Sequence, residues 1–225
     1  IAAGAAATIL VYRDPPDLPA PAHGAGRALR LVLGTRDLWL VALATLVFAG
    51  MQTVWMAFLV LYLTDVVGVS LLAAGRYLAL AQVAGMIGRI VFGMLSDRTF
   101  GGRRRAPLIL AGVGSTACSL AIAGTGPGTS ALALASLALI FGFAGIGWNG
   151  VQHTLMAELA GPGSAGTAVG LGLAVSSLGV TLAPPIFGWC VERVGGYREP
   201  WVGLALTMVG ALGLLALVRE RPRFG

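Results

Sequence analysis

The hydrophobic positions of this chain form runs too long for the core helix of a globular protein, separated by short segments rich in Arg, Pro and Gly. A stretch of about 20 apolar residues crosses a bilayer as a helix, because backbone groups in hydrocarbon must bond within their own segment. Six such stretches are predicted, at residues 38–63, 72–95, 106–123, 130–157, 165–190 and 200–218. Five contain no Asp, Glu or Arg, and the exception holds Arg76 and Arg89. Residues 1–12 are apolar but too short to span, lack an initiating Met and have no basic region ahead of them, so they read as the end of a truncated further helix rather than a signal peptide. Residues 13–37 carry Pro15, Pro16, Pro19 and Pro21, which remove backbone donors and favour extended chain, so they read as a polar linker between two halves. The expected organisation is that helix end, the linker, a membrane unit at 38–218 and a tail at 219–225.

Composition agrees with the pattern and excludes other classes. With 57% hydrophobic residues, 11% charged and a mean hydropathy of +0.86, this is an integral membrane protein and not an ordinary soluble enzyme, a disordered chain or a disulfide scaffold. The formal charge of +6 is not a nucleic-acid footprint, because all 15 basic residues are Arg and most lie between the apolar runs. Alternate connectors divide them unequally. One side receives Arg13, Arg27, Arg30 and Arg36, then Arg98, Arg103, Arg104 and Arg105, then Arg219, Arg221 and Arg223, whereas the other receives Arg193 and Arg198. The positive-inside rule makes loops 13–37 and 96–105 and the C-terminus cytoplasmic, in a multi-pass plasma-membrane protein. Cys118 and Cys190 fall in or at the edge of apolar runs and read as packing residues, and no metal or cofactor is expected.

The most specific local pattern is GMLSDRTFGGRRR, from Gly93 to Arg105. Gly93 permits close helix approach, Asp97 can accept backbone N–H bonds at a neighbouring helix start, and Arg98, Arg103 and Arg104 beyond Gly101 can pair with carboxylates or lipid phosphates. The segment resembles the G-x-x-x-D-R-x-G-x-R-R loop of the major facilitator superfamily, with Phe100 making the spacing one residue longer. The plain alternative is a positive-inside loop without a gating role. A second resemblance to bacterial members covers GIGWNGVQHTLMAELAGPGSAGTAVGLGL from Gly145, followed by APPIFGW and GGYREPW. The likeness implies an all-α membrane fold of six transmembrane helices as two inverted three-helix repeats, helices seven to twelve of twelve. It implies an absent N-terminal six-helix half as partner, and a solute path lined by the first and fourth helices of each half.

On those two helices the polar residues stand out. Asn149, Gln152 and His153 recur at i, i+3 and i+4 within an arc of about 100°, with Trp148 beside them, and Gln52 with Trp55 is the counterpart on the first span. Lining a path is the sharper reading, because a polar group in hydrocarbon is costly; helix-to-helix hydrogen bonding is the competing one. Arg89 lies eight residues before Asp97, about 12 Å up the helix, and is expected to find a carboxylate or face the interior. Glu158, five residues beyond His153, is a candidate for an ion pair or for proton exchange with that imidazole. In the fifth span, Gly166 and Gly170 have GxxxG spacing, and Pro184 with Pro185 is expected to kink the helix. Gly145, Gly147 and Gly150 spell GxGxxG but sit inside an apolar run, so no dinucleotide site is expected, and no hydrolase motif accompanies them. The predicted function is secondary transport of a small solute by alternating access, tilted toward an organic anion and driven by an ion or proton gradient. Drug or metabolite efflux is the alternative within that class, and a non-transporting scaffold or decayed transporter fragment the alternative outside it.

Overall fold

The computed structural model describes residues 25–220, all in helices and short connectors without a strand among them; the expectations for 1–12, Arg13, the four prolines and the end of the tail fall outside that range. A short helix α1 (Ala25–Gly34) precedes six long ones, α2 (Arg36–Val67), α3 (Leu71–Arg98), α4 (Arg105–Ile122), α5 (Ala131–Ala160), α6 (Ala165–Val194) and α7 (Arg198–Ala216). Each of the six is long and apolar enough to cross a membrane. Polar residues start several of them: Ser70 and Ser130 accept from the backbone N–H groups of Ala73 (3.3 Å) and Ala133 (3.2 Å), satisfying donors the helix cannot. Gly68 and Gly195 end α2 and α6 in the left-handed conformation.

The pairing of helices has an internal symmetry. α2 packs chiefly on α6, α3 on the middle of α5, and α4 on α7. Numbering the spans of each triplet one to three, these pairs are one with two, two with one, and three with three, which exchange of the triplets leaves unchanged. Three is odd, so the second triplet enters the bundle in the opposite orientation. In the most apolar windows of α2 and α5 half the residues are buried, against 11% in α6, so the first and fourth spans form the centre and α6 a flank.

Two of these pairs are set by glycine. A Cβ on Gly179 would collide with the Leu46 carbonyl, and one on Gly50 would lie 2.8 Å from the Ala183 methyl, so α2 and α6 cross backbone to backbone. Between α3 and α5, Gly142 abuts the Ala81 backbone, and a Cβ on Gly147 would stand 2.8 Å from Gly88. Without a hydrophobic drive between helices in lipid, such close van der Waals contact is what holds them. At the end remote from the arginine-rich loops, Trp55, Tyr62, Phe187 and Trp201 form an aromatic cluster, and Tyr62 donates to the Ile122 carbonyl at 2.8 Å.

Several expectations change. The 13–37 segment is not wholly extended, since α1 docks Ala28 and Val32 at i, i+4 spacing. Gly93, Gly166 and Gly170 have nothing within 4 Å of where a Cβ would stand, so among the described residues they make no close crossing; Gly50, Gly142, Gly147 and Gly179 do. α6 runs from Ala165 to Val194 with Pro184 and Pro185 inside it, neither of which has a backbone N–H to donate. π-helical turns, which were not anticipated, occur at Leu63–Val67 and Gly142–Ile146. The second ends at Ile146, with Gly147 between it and Trp148, and such turns gather at functional sites.

Gly179→Ala is expected to lower the thermal melting point of the purified protein, overpacking of this kind costing roughly 1–3 kcal/mol. Gly170→Ala, with open space around it, should leave melting unchanged or slightly raised.

Candidate functional site

Polar side chains in the middle of the bundle meet where α2 faces α5. The π-turn and the residues after it swing Trp148 and Asn149 toward α2, and both donate to one atom, the Gln52 Oε1, at 3.1 and 3.3 Å. Trp148 also donates to the Gly145 carbonyl at 3.0 Å, Asn149 to the Ile146 carbonyl at 3.1 Å, and the Trp148 ring packs on Phe48. The other end of the Gln52 amide reaches no better acceptor than the Met56 sulfur at 3.9 Å. Gln52 and Asn149 are half-buried, Trp148 fully so.

Gln152 turns the other way, toward α6, against Met156 and Gly172, where an added Cβ would come within 2.7 Å of its Nε2. It is 2% exposed, and its Nε2 has no hydrogen-bond partner. A buried donor without an acceptor costs roughly 1–3 kcal/mol, so this amide is a standing demand for an acceptor. His153 is half-buried beside it and makes no hydrogen bond among the described residues. The polar arc is thus brought together as two neighbouring groups, one bridging to α2 and one facing α6. The first group spends its N–H donors on Gln52 and on backbone carbonyls, and the second leaves the Gln152 Nε2 without an acceptor.

Trp55 is not on that face. It is fully buried, stacks on Phe141 with ring centres 3.9 Å apart and donates to the Ser119 hydroxyl at 3.0 Å, which makes it a core residue of the bundle. The angular step from Gln52 to Trp55 on a helix is about 60°, enough to turn the indole inward. Arg89 is exposed on α3 and joins no ion pair among the described residues.

A second polar centre lies at the arginine-rich end. Arg104, a buried residue, pairs with Asp97 at the end of α3 and, through Nε at 3.2 Å, with Glu158 near the end of α5. Its guanidinium also donates to the Ser96 hydroxyl at 3.0 Å, and its backbone N–H donates to Glu220. Burial works against the charge, but the hydrogen bond that Arg104 donates to Asp97 and the field of Glu158 outweigh it and hold Arg104 above its ordinary pKa. Glu158 therefore finds its cation in Arg104 rather than Arg89. The 96–105 loop, α5 and the residues after α7 are tied through one residue, by its side chain to Asp97 and Glu158 and by its backbone N–H to Glu220. Among the motif residues Asp97 and Arg104 enter this knot, whereas Arg98, Arg103 and Gly101 remain on the loop surface. Glu220 was not anticipated; its one legible sign is an acidic residue inside the basic tail RERPR.

Residues 1–184 match the family model described as Major Facilitator Superfamily. The probable sulfoacetate transporter SauU of Cupriavidus necator is 30% identical over 189 residues, covering 80% of this chain and 43% of that protein. Monocarboxylate transporter 13 of Rattus norvegicus is 27% identical over 175 residues, covering 73% of this chain and 40% of that one. Among solved structures, the fucose:proton symporter FucP of E. coli superposes with a TM-score of 0.75 at 19% identity, covering 96% of this chain and 52% of that chain. The chain spans about half the length of the curated relatives it matches.

A double-mutant cycle on melting temperature checks the partner of Glu158. Arg104→Gln with Glu158→Gln should show coupling of about 0.5–3 kcal/mol, and Arg89→Gln with Glu158→Gln none.

Proposed function

The chain belongs to the Major Facilitator Superfamily, and we propose that it is one half of a secondary transporter that moves a small organic anion by alternating access. Its other half would be an N-terminal six-helix unit, with the arginine-rich end in the cytoplasm of a cell whose plasma membrane it spans. The observation that carries the anion is the unpartnered, buried amide of Gln152, one turn along α5 from the Trp148–Asn149 bridge to α2. Gln52 Oε1 already accepts from both Trp148 and Asn149, while Gln152 Nε2 has nothing to donate to. A carboxylate or sulfonate brings several acceptor lone pairs and would complete that set in a low-dielectric setting where each bond counts for more. The names of two relatives, a probable sulfoacetate transporter and a monocarboxylate transporter, lie in the same chemical class.

Efflux of cationic drugs fits less well, since none of the six spans of this half carries an Asp or Glu in its middle to meet a cation. His153 is the titratable side chain beside the donors and is our candidate for carrying a coupled proton. The knot around Arg104 would latch one conformation at the cytoplasmic end, breaking and re-forming as the halves rock.

The test is uptake of sulfoacetate and short monocarboxylates into proteoliposomes holding the complete gene product under an imposed pH gradient. Gln152→Leu removes an orphaned donor, so it should melt no lower than the parent protein while uptake falls at least tenfold. Uptake by Gln152→Leu at the parental rate and KM would overturn the assignment.

A further inference from the structure

The arginine-rich end holds a second concave site, apart from the solute face. A cavity of about 620 Å³ opens between the start of α2, the 96–105 loop and the residues that follow α7, lined by Arg36, Arg103, Arg105 and Arg219 together with Glu220 and Leu217. Four arginines and one glutamate therefore line it. That carboxylate is already engaged, because its two oxygens accept from the backbone N–H groups of Arg104 and Arg105. Arg105 in turn spends its guanidinium on the Val218 and Ala216 carbonyls, at 2.7 and 3.2 Å. Among the described residues Arg36, Arg103 and Arg219 have no ion-pair partner, and each is exposed. A generic excess of basic residues at one membrane face asks only that they be on that side; here they converge on one hollow of a size that holds small ligands.

The walls above the cavity are apolar. Ala106 and Ala216 line it as well. One and two turns along α4 from Ala106, on its own helical face, stand Leu110 and Val113; two turns along α7 from Ala216 stands Val209. All three are exposed, as is Leu217 at the rim, 55%. A soluble anion would satisfy the arginines and ignore this surface. An amphiphile with an anionic head and hydrocarbon tails would use both.

We infer that this cavity is a binding site for an anionic phospholipid, its phosphate held by Arg36, Arg103 and Arg219 and its acyl chains running along the exposed faces of α4 and α7. Arginine suits the role because its planar fork of donors matches phosphate oxygens. A lipid seated there bridges the loop, α2 and the segment after α7 next to the Arg104 knot, and so adds to what holds that end together.

The experiment is native mass spectrometry of the detergent-purified complete protein, titrated with phosphatidylglycerol or with phosphatidylcholine of the same acyl chains. The site predicts preferential retention of one phosphatidylglycerol. Arg36→Gln and Arg219→Gln should each weaken it about fivefold, as expected for one basic residue near an anionic lipid, whereas Arg76→Gln, at the opposite end of α3, and Arg36→Lys should retain it. Equal retention of the two lipids, or unchanged binding by both Gln variants, would overturn the inference. So would displacement by soluble glycerol 3-phosphate as effectively as by phosphatidylglycerol, which would mark a site for a soluble anion instead. Because the readout is lipid binding, failure here leaves the transport assignment untouched, and the reverse holds too.

Discussion

In hydrocarbon an apolar side chain gains nothing by turning from lipid to protein, so a helical bundle must be held by contact distance rather than by burial from water. Here that contact is glycine against backbone. Gly179 lies on the Leu46 carbonyl and Gly142 on Ala81, and these crossings fix α2 to α6 and α3 to α5. The other arrangements follow from those two. They place the first and fourth spans together at the centre, and they position the π-turn of α5 so that Trp148 and Asn149 point at Gln52.

The same dry surroundings give the polar groups their consequence. A hydrogen bond made there is strong, and one left unmade is expensive, so the unpartnered amide of Gln152 is a cost to the fold. It is a local sacrifice of stability of the kind expected at a site that receives a ligand. Arg104 shows the opposite solution, a buried charge with two carboxylates and a hydroxyl gathered around it. One centre is incomplete and the other saturated, which suits a ligand site and a latch respectively.

The fold was largely legible because span length and arginine placement are one-dimensional signals. All six spans were found, and their ends shifted by at most four residues, as at Val194, because helices run on past the apolar core into polar residues. What escaped depends on the third dimension. A π-turn inserts a residue without changing the apolar pattern, so nothing in GFAGI announces it. Gly166 and Gly170 had the expected spacing, yet Gly172 and Gly179 of the same span are the ones that meet neighbours, since contact is decided by helix rotation. Trp55 lies close to Gln52 on a helical wheel but turns into the core to stack on Phe141, 86 positions away. The link between Arg104 and Glu158 joins residues 54 apart and needs the fold to bring them together. Polarity on α5 marked the helix on which these polar groups gather; which of its side chains bridge and which stand unpaired did not follow from spacing.

The central claim is that the polar groups of α5 recognise an oxyanion, with the unpartnered Gln152 Nε2 as a donor to it. Equilibrium binding of matched ligands to the purified complete transporter tests it most directly, comparing a short carboxylate or sulfonate with its neutral primary amide and with a cationic amine of the same carbon skeleton. The account predicts saturable binding of the anion and at least tenfold weaker binding of both analogues. Equal binding of the amide, or preference for the amine, would contradict it.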